Sequence, residues 1–247
     1  MTLALAHKPT LDGPFENADN AYLIADSNIS IVVYQEITCD YPQLWMSFET
    51  AEEQELYIQL GVPVIDRLAE YRPNIAVVAH GLPEVADLPF SLPDGMGALV
   101  FSSEDESDDF YEPFTQTSSW IYIEETITLP QAGTGYLVAW SPENITGKLW
   151  VSTGTVEDFS DVGIEDFVYW DEGVNNFHET GKHEIPYPTQ ELDCDEEPLE
   201  AVNEDLPSAE AESSEKAQSC ATASPAATLP LLLFALLGLR RRSDKPT

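Results

Sequence analysis

The stretch 120-WIYIEETITLPQAGTGYLVAWSPENITGKLWVST-153 contains three short segments rich in Ile, Val, Tyr and Trp, at 120–129, 135–140 and 148–153. β-Branched and aromatic side chains suit a half-buried pleated surface, and the breaks at 130–135 and 141–147 supply Pro, Gly, Ser and Asn for chain reversal. By the period of two, Trp120, Tyr122 and Glu124 are expected on one face and Ile121, Ile123 and Glu125 on the other. Tyr136, Val138 and Trp140 likewise share a face, and so do Leu149 and Val151.

Upstream, segments of the same kind recur at 21–25, 29–37, 44–48, 56–62, 75–79 and 98–101, several of them separated by turn-rich breaks. No helices of useful length alternate with them, which argues against a doubly wound sheet. The expected fold is all-β, an antiparallel β-sandwich or jelly roll. Residues 51–56 and 66–71 allow only brief helical pieces. At 156–170 the pattern changes: Phe159, Val162, Ile164, Phe167, Val168 and Trp170 recur near three and four, suiting one short amphipathic helix that caps the sandwich. Gly163 sits in its middle and weakens a single unbroken helix.

The order of polar turn, Gly135, Tyr136, Val138, Ser-Pro-Glu-Asn turn, Gly147 and Lys148 resembles the C-terminal strands of bacterial pre-peptidase-type jelly-roll domains. Their acidic Asp-Xaa-Asp-Xaa-Tyr/Phe opening is replaced here by Asn28, Ile29, Ser30, Ile31 and Val32. That resemblance implies an accessory domain of secreted proteins, linked to surface or substrate binding.

The 247 residues carry a formal net charge of −35, and the last few are basic, so the body is more acidic still. Nucleic acid is excluded as a partner, because a phosphate backbone requires neutralising Lys and Arg. Cations, basic surfaces or a saline exterior are the fitting counterparts.

The C-terminus holds an uncharged run at 221–239 whose apolar core, 229–239, is followed by Arg240, Arg241 and Arg242. An apolar segment closed by arginines suits a bilayer with a cytoplasmic stop, and only the weakly apolar 221–228 brings its length near a full span. Cys220, Pro225, this block and the arginines resemble a bacterial tripartite C-terminal sorting signal of the myxobacterial type; the Gly-Gly motif of the other type is absent. The resemblance implies export, membrane anchoring through a C-terminal helix, a sorting protease as partner, and transfer to the cell surface with Cys220 as the modified residue. Residues 193–219, repeating Glu, Asp, Pro, Ser and Ala, are expected to form a disordered acidic stalk. Met1–Ala6 is expected to be a signal-peptide remnant, because Ala4, Leu5 and Ala6 have the small-x-small form of a cleavage site before His7. As a mature N-terminal residue His7 has an amine and an imidazole to offer copper, provided a second histidine stands nearby. The expected organisation is thus 1–6 remnant, 7–157 β-sandwich, 158–192 helical or irregular extension, 193–219 linker and 220–247 sorting or transmembrane signal.

No catalytic set emerges. The Gly-Xaa-Ser-Xaa-Gly elbow, the His-Glu-Xaa-Xaa-His helix and the Gly-rich nucleotide loops are missing from the sequence. His80, followed by Gly81, reads as a turn histidine bonding a backbone carbonyl before it reads as a base. His178 and His183 are five apart, not the four that one helix face would need for zinc.

The densest carboxylates are Glu104, Asp105, Glu106, Asp108 and Asp109, with Glu112 just beyond. A solvated acidic loop is the first reading and a calcium site, without the EF-hand spacing, the second. No cofactor is assured by the sequence; if there is one, calcium at this loop is the expectation. Tyr111, Phe114 and Trp120 follow closely and form a candidate acidic and aromatic ledge for a surface ligand, although core packing is the ordinary fate of such rings. The three cysteines allow Cys39 and Cys194 to pair in an exported chain, leaving Cys220 for the tail.

The function expected from the sequence is an exported, membrane-anchored or surface-displayed non-enzymatic binding or structural module of the cell envelope. The alternative is a secreted hydrolase or metal-dependent enzyme.

Overall fold

Strand-forming side chains at alternating positions need a second layer to bury them, and the chain supplies it by dividing its strands between two sheets. The computed structural model describes residues 7–141 and 145–183. Eleven strands run in the order β1 (Lys8–Thr10), β2 (Tyr22–Ile24), β3 (Ile31–Ile37), β4 (Gln43–Thr50), β5 (Gln54–Pro63), β6 (Asn74–His80), β7 (Met96–Ser102), β8 (Asp108–Glu112), β9 (Thr117–Leu129), β10 (Gly133–Trp140) and β11 (Gly147–Thr153). They are followed by helix α1 (Ile164–Phe177). One sheet has the order β1-β3-β11-β5-β9-β8 and the other β2-β4-β10-β6-β7. Only the edge pairs β1–β3 and β2–β4 are parallel; the remaining ladders are antiparallel.

The main core lies between the two sheets. Val33, Leu60 and Val151 come from the six-stranded sheet, and Met46, Val77 and Leu137 from the five-stranded one. Val151 pairs across to Val33 on one side and to Leu60 on the other, so three central strands present one apolar face in register. Phe48 packs where a Cβ on Gly135 would stand, with ring atoms 2.6 Å from that position. Gly135 thus makes room for the largest fully buried side chain of the core.

Both outer faces are covered as well. Trp45, Val138 and Trp140 on the outside of the five-stranded sheet lie beneath the connection between β6 and β7, which contributes Val85, Leu88, Phe90 and Leu92. Tyr136, Val138 and Trp140 do share a face, and Leu149 and Val151 share the inner one.

Two local expectations are corrected. The strict alternation along β9 breaks: Leu60 pairs with Ile123 but Gly61 with Ile121, so Tyr122 is an extra residue in a β-bulge. Ile123 therefore joins the inter-sheet core while Ile121 turns to the outer face beside Val32 and Trp150. The helix begins at Ile164, not 156, because Gly163 is its N-cap and donates its N–H to Asp166 Oδ2 at 2.7 Å. It then runs to Phe177, with Phe167, Trp170, Val174 and Phe177 at helical spacing. The stretches that allow at most brief helical pieces hold to that bound: 51–56 is a turn leading into β5, with Gln54 Oε1 accepting the Ala51 N–H at 2.8 Å, and 66–71 contains a single 3-10 turn, Asp66–Leu68.

Among the described residues no helix is long and apolar enough to cross a membrane. The C-terminal apolar run, the arginines and the acidic stalk lie outside those residues, as do Met1–Ala6.

Candidate functional site

The outer face of the six-stranded sheet is divided by chemistry. At one end it is polar: Ser152 Oγ donates to Gln59 Oε1 at 3.1 Å, while Gln59 Nε2 and the Tyr57 hydroxyl both donate to Glu124. At the other end Val32, Tyr34, Phe110, Ile121 and Trp150 form an apolar floor. The bulge at Tyr122 creates this division, because it aims Thr117, Ser119 and Ile121 outward. Trp150 is fixed on the floor by two neighbours. Its ring atoms stand 2.2 Å from where a Cβ on Gly61 would be, and its Nε1 donates to Ser119 Oγ at 2.9 Å.

Helix α1 and the connection before it roof this floor. Phe167 contacts Trp170 edge-on at 5.4 Å between ring centroids, Phe114 at 5.6 Å and Phe159 at 6.2 Å. Between floor and roof remains a cavity of about 170 Å³. Its polar lining is sparse. Glu112 Oε1 accepts the Phe114 N–H at 2.9 Å, and among the described residues nothing donates to Oε2. Burial holds the Glu112 carboxyl above its ordinary range; the Phe114 N–H opposes this and the Glu157 charge adds to it. His7 Nδ1 meets Ser30 Oγ at 2.5 Å, and burial pulls its imidazole down to about 4 against the attraction of Glu157. The Tyr34 phenol is pushed up, first by burial and then by the Glu112 charge.

The roof is tied down at its far end. Asn175 Nδ2 donates to the Thr115 carbonyl at 3.0 Å, and His178 Nδ1 donates to the Ser118 carbonyl at 3.1 Å. Lys148, itself buried, donates to the Phe177 carbonyl at 3.1 Å and to Glu179 Oε1 at 2.8 Å. A cation on the last carbonyls of a helix complements both its orphan acceptors and its dipole. Arg67 Nη2 reaches the same Glu179 oxygen at 2.5 Å.

The residues singled out from sequence fall elsewhere or only partly here. Glu104, Asp105 and Glu106 lie between β7 and β8, and Asp108 and Asp109 open β8, paired with Ile121 and Trp120. Glu104, Glu106 and Asp108 line a wide groove of about 640 Å³ with Glu124 and Glu125. Among the described residues, no three His, Cys, Asp or Glu side chains converge as a metal-binding group.

The aromatic ledge is split by the pleat. Asp109 and Tyr111 share the face of Trp120, which packs toward the inter-sheet core, whereas Phe114 lines the cavity on the opposite side. His80 Nδ1 bonds the Gly95 carbonyl at 3.0 Å, the turn role expected of it. His178 is buried under the roof, and His183 Nε2 stands 3.5 Å from Asp171. Cys39 is disulfide-bonded. Its expected partner Cys194 lies outside the described residues, as do Cys220, Arg240, Arg241 and Arg242.

Sequence reasoning missed Trp150, Tyr34 and Phe110 as lining residues. A signal was present: 31–34 and 148–153 are continuous strands without a solvated face, which means that both sides are covered.

No family model matches the sequence, and no curated protein matches it. Among solved structures, the chain is similar to the pre-peptidase C-terminal domain of a collagenase from Bacillus anthracis, at 11% identity and a TM-score of 0.32, over 57% of this chain and 97% of that one. It is also similar to CorA, a surface-associated copper-binding protein important in copper acquisition by Methylomicrobium album BG8, at 11% identity and a TM-score of 0.27, over 62% of this chain and 100% of that one.

Proposed function

We propose that the chain is a non-enzymatic binding module, exported and held at the cell envelope by its C-terminal segment, and that its ligand site is the aromatic cavity under α1. The observation that carries the binding role is the cavity itself. Apolar surface left open in a folded domain forgoes about 25 cal/mol per Å² of burial, so a purely structural packing would be expected to close it. A concave, mostly apolar chamber with few polar groups is the ordinary form of a small-molecule site. Support for display at the envelope comes from the apolar run and arginines of the sequence.

Two measurements test the proposal. Titration of the full chain with small apolar probes, one a neutral alcohol and one a quaternary ammonium, followed by tryptophan fluorescence, should quench or shift the signal of Trp150 and Trp170 saturably with at least one of them; a linear, unsaturable response to both would reject the site. Fractionation of cells expressing the chain with and without residues 220–247 should find envelope association only for the longer form, and equal association of both would reject the anchoring role.

A further inference from the structure

We infer that the cavity takes a small organic cation, a methylated or quaternary ammonium group, held among aromatic rings and balanced by the Glu112 carboxylate. The inference rests on the cavity being a ligand site and adds the charge class of the ligand.

Three observations fix that class. The walls are dominated by rings, with Tyr34, Phe110 and Trp150 below and Phe159, Phe167 and Trp170 above. Aromatic rings attract an ammonium group through their quadrupoles, the more so where water is displaced. The second observation is the charge at the wall. Glu112 is the one carboxylate in the lining, with Oε2 accepting no hydrogen bond among the described residues, and Glu157 lies near enough to act on it. The groups facing Glu112 are Tyr34 from β3, His7 from the chain start and Glu157 from the connection before α1; the part of α1 over the cavity offers only Phe167, Trp170 and Val174. None of these supplies a positive charge, since burial keeps His7 neutral at ordinary pH. The third observation is the field: a chain of net charge −35 concentrates small cations at its surface and repels anions.

Other ligand classes fit less well. An anion would be repelled by the Glu112 carboxylate and by the nearby Glu157 charge. A bare metal ion would find a single carboxylate among rings, where hard cations want several oxygens. A neutral apolar molecule would fill the space while leaving the Glu112 carboxyl desolvated and without a counter-charge. An ammonium carrying methyl groups meets both requirements at once.

The test compares two molecules of the same shape. Choline and its uncharged carbon isostere, 3,3-dimethylbutan-1-ol, are titrated into the full chain by calorimetry at constant ionic strength, with sodium chloride as the control for general screening. Choline should bind about tenfold or more tightly than the alcohol, as a desolvated cation–π contact joined to an ion pair implies. Glu112→Gln, checked for an unchanged unfolding midpoint, should remove that advantage, so that choline binds no more tightly than the alcohol. Equal affinity of the wild-type chain for both molecules would overturn the cation inference while leaving the cavity as a ligand site. Binding of neither would overturn both. The wild-type comparison decides the matter even where the Glu112 variant fails to fold.

Discussion

The indole of Trp150 occupies the space that a side chain at Gly61 would need, two strands side by side exchanging one residue's volume for another's. Gly61→Ala forces the ring off Ser119 and into the cavity beneath α1. The expected cost is about 1–3 kcal/mol, the range of overpacking in a fitted interior. Because the ring also forms the cavity floor, ligand binding should fall with it, seen as a lower denaturation midpoint together with an altered tryptophan emission. An unchanged emission spectrum in the variant would mean that Trp150 is not held where the structure places it.

How far the sequence carried this picture depends on what each residue's chemistry encodes locally. Nine of the strands are legible because β-branched and aromatic residues cluster between turn formers, and the sandwich follows from their number and spacing. Strand β8 is not legible: Asp108 and Asp109 read as solvated loop, and only pairing with Ile121 and Trp120 on β9 makes them strand. The bulge at Tyr122 is equally silent, since one inserted residue leaves no compositional mark yet flips every side chain beyond it. The cavity depends on both features, for β8 supplies Phe110 and Glu112 and the bulge turns Ser119 outward. It was therefore the part least visible from sequence, although the doubly apolar strands β3 and β11 announced that something covers the outer face.

Glu179 balances two cations, and its removal should be felt more than theirs. Lys148 and Arg67 meet the same carboxylate oxygen, at 2.8 and 2.5 Å, just past the end of α1. Glu179→Gln keeps the shape but leaves buried Lys148 beside Arg67 without the shared negative charge, at an expected cost of about 3 kcal/mol. Lys148→Met, which replaces charge by apolar volume, should cost less. The double variant should be less destabilised than the two single costs added together. Denaturant midpoints of the four proteins measure this, and simple additivity would exclude the network.

Cys39 is disulfide-bonded, and the expected partner is Cys194. Closing a loop of that length lowers the entropy of the unfolded chain, so Cys39→Ser and Cys194→Ser should each cost about 2–5 kcal/mol in oxidising buffer and nothing under reduction. Cys220→Ser should leave stability unchanged. Peptide mapping without reduction reads the linkage directly, and a fragment joining Cys39 to Cys220 would remove that cysteine from the proposed tail chemistry.

The last expectation concerns acid. His178 donates from Nδ1 to the Ser118 carbonyl, which leaves Nε2 buried and, among the described residues, without a hydrogen-bond partner. Burial pulls its pKa to about 4; the Ser118 carbonyl opposes this and the Lys148 charge assists it. His7 is likewise held at about 4. Both have an ordinary value of 6.5, so between about 6.5 and 4 the unfolded chain binds protons that the folded one refuses. Their contribution is therefore fully present above the unfolded value and is lost as pH falls toward 4, by up to about 3 kcal/mol per histidine. Glu112 acts with the opposite sign: its raised carboxyl favours folding at low pH and loses that contribution as pH rises. Asp26 and Asp171, whose carboxyls are lowered, act below their ordinary value of 3.8 and so outside the histidine window. Urea denaturation from about pH 7 down to about pH 4.5 should thus show a steady loss of stability. His178→Asn, which keeps a donor for Ser118 but cannot take up a proton, should remove at least half of the slope, since two histidines produce it and Glu112 opposes them. A slope as steep in that variant as in the parent would show that the acid sensitivity resides elsewhere.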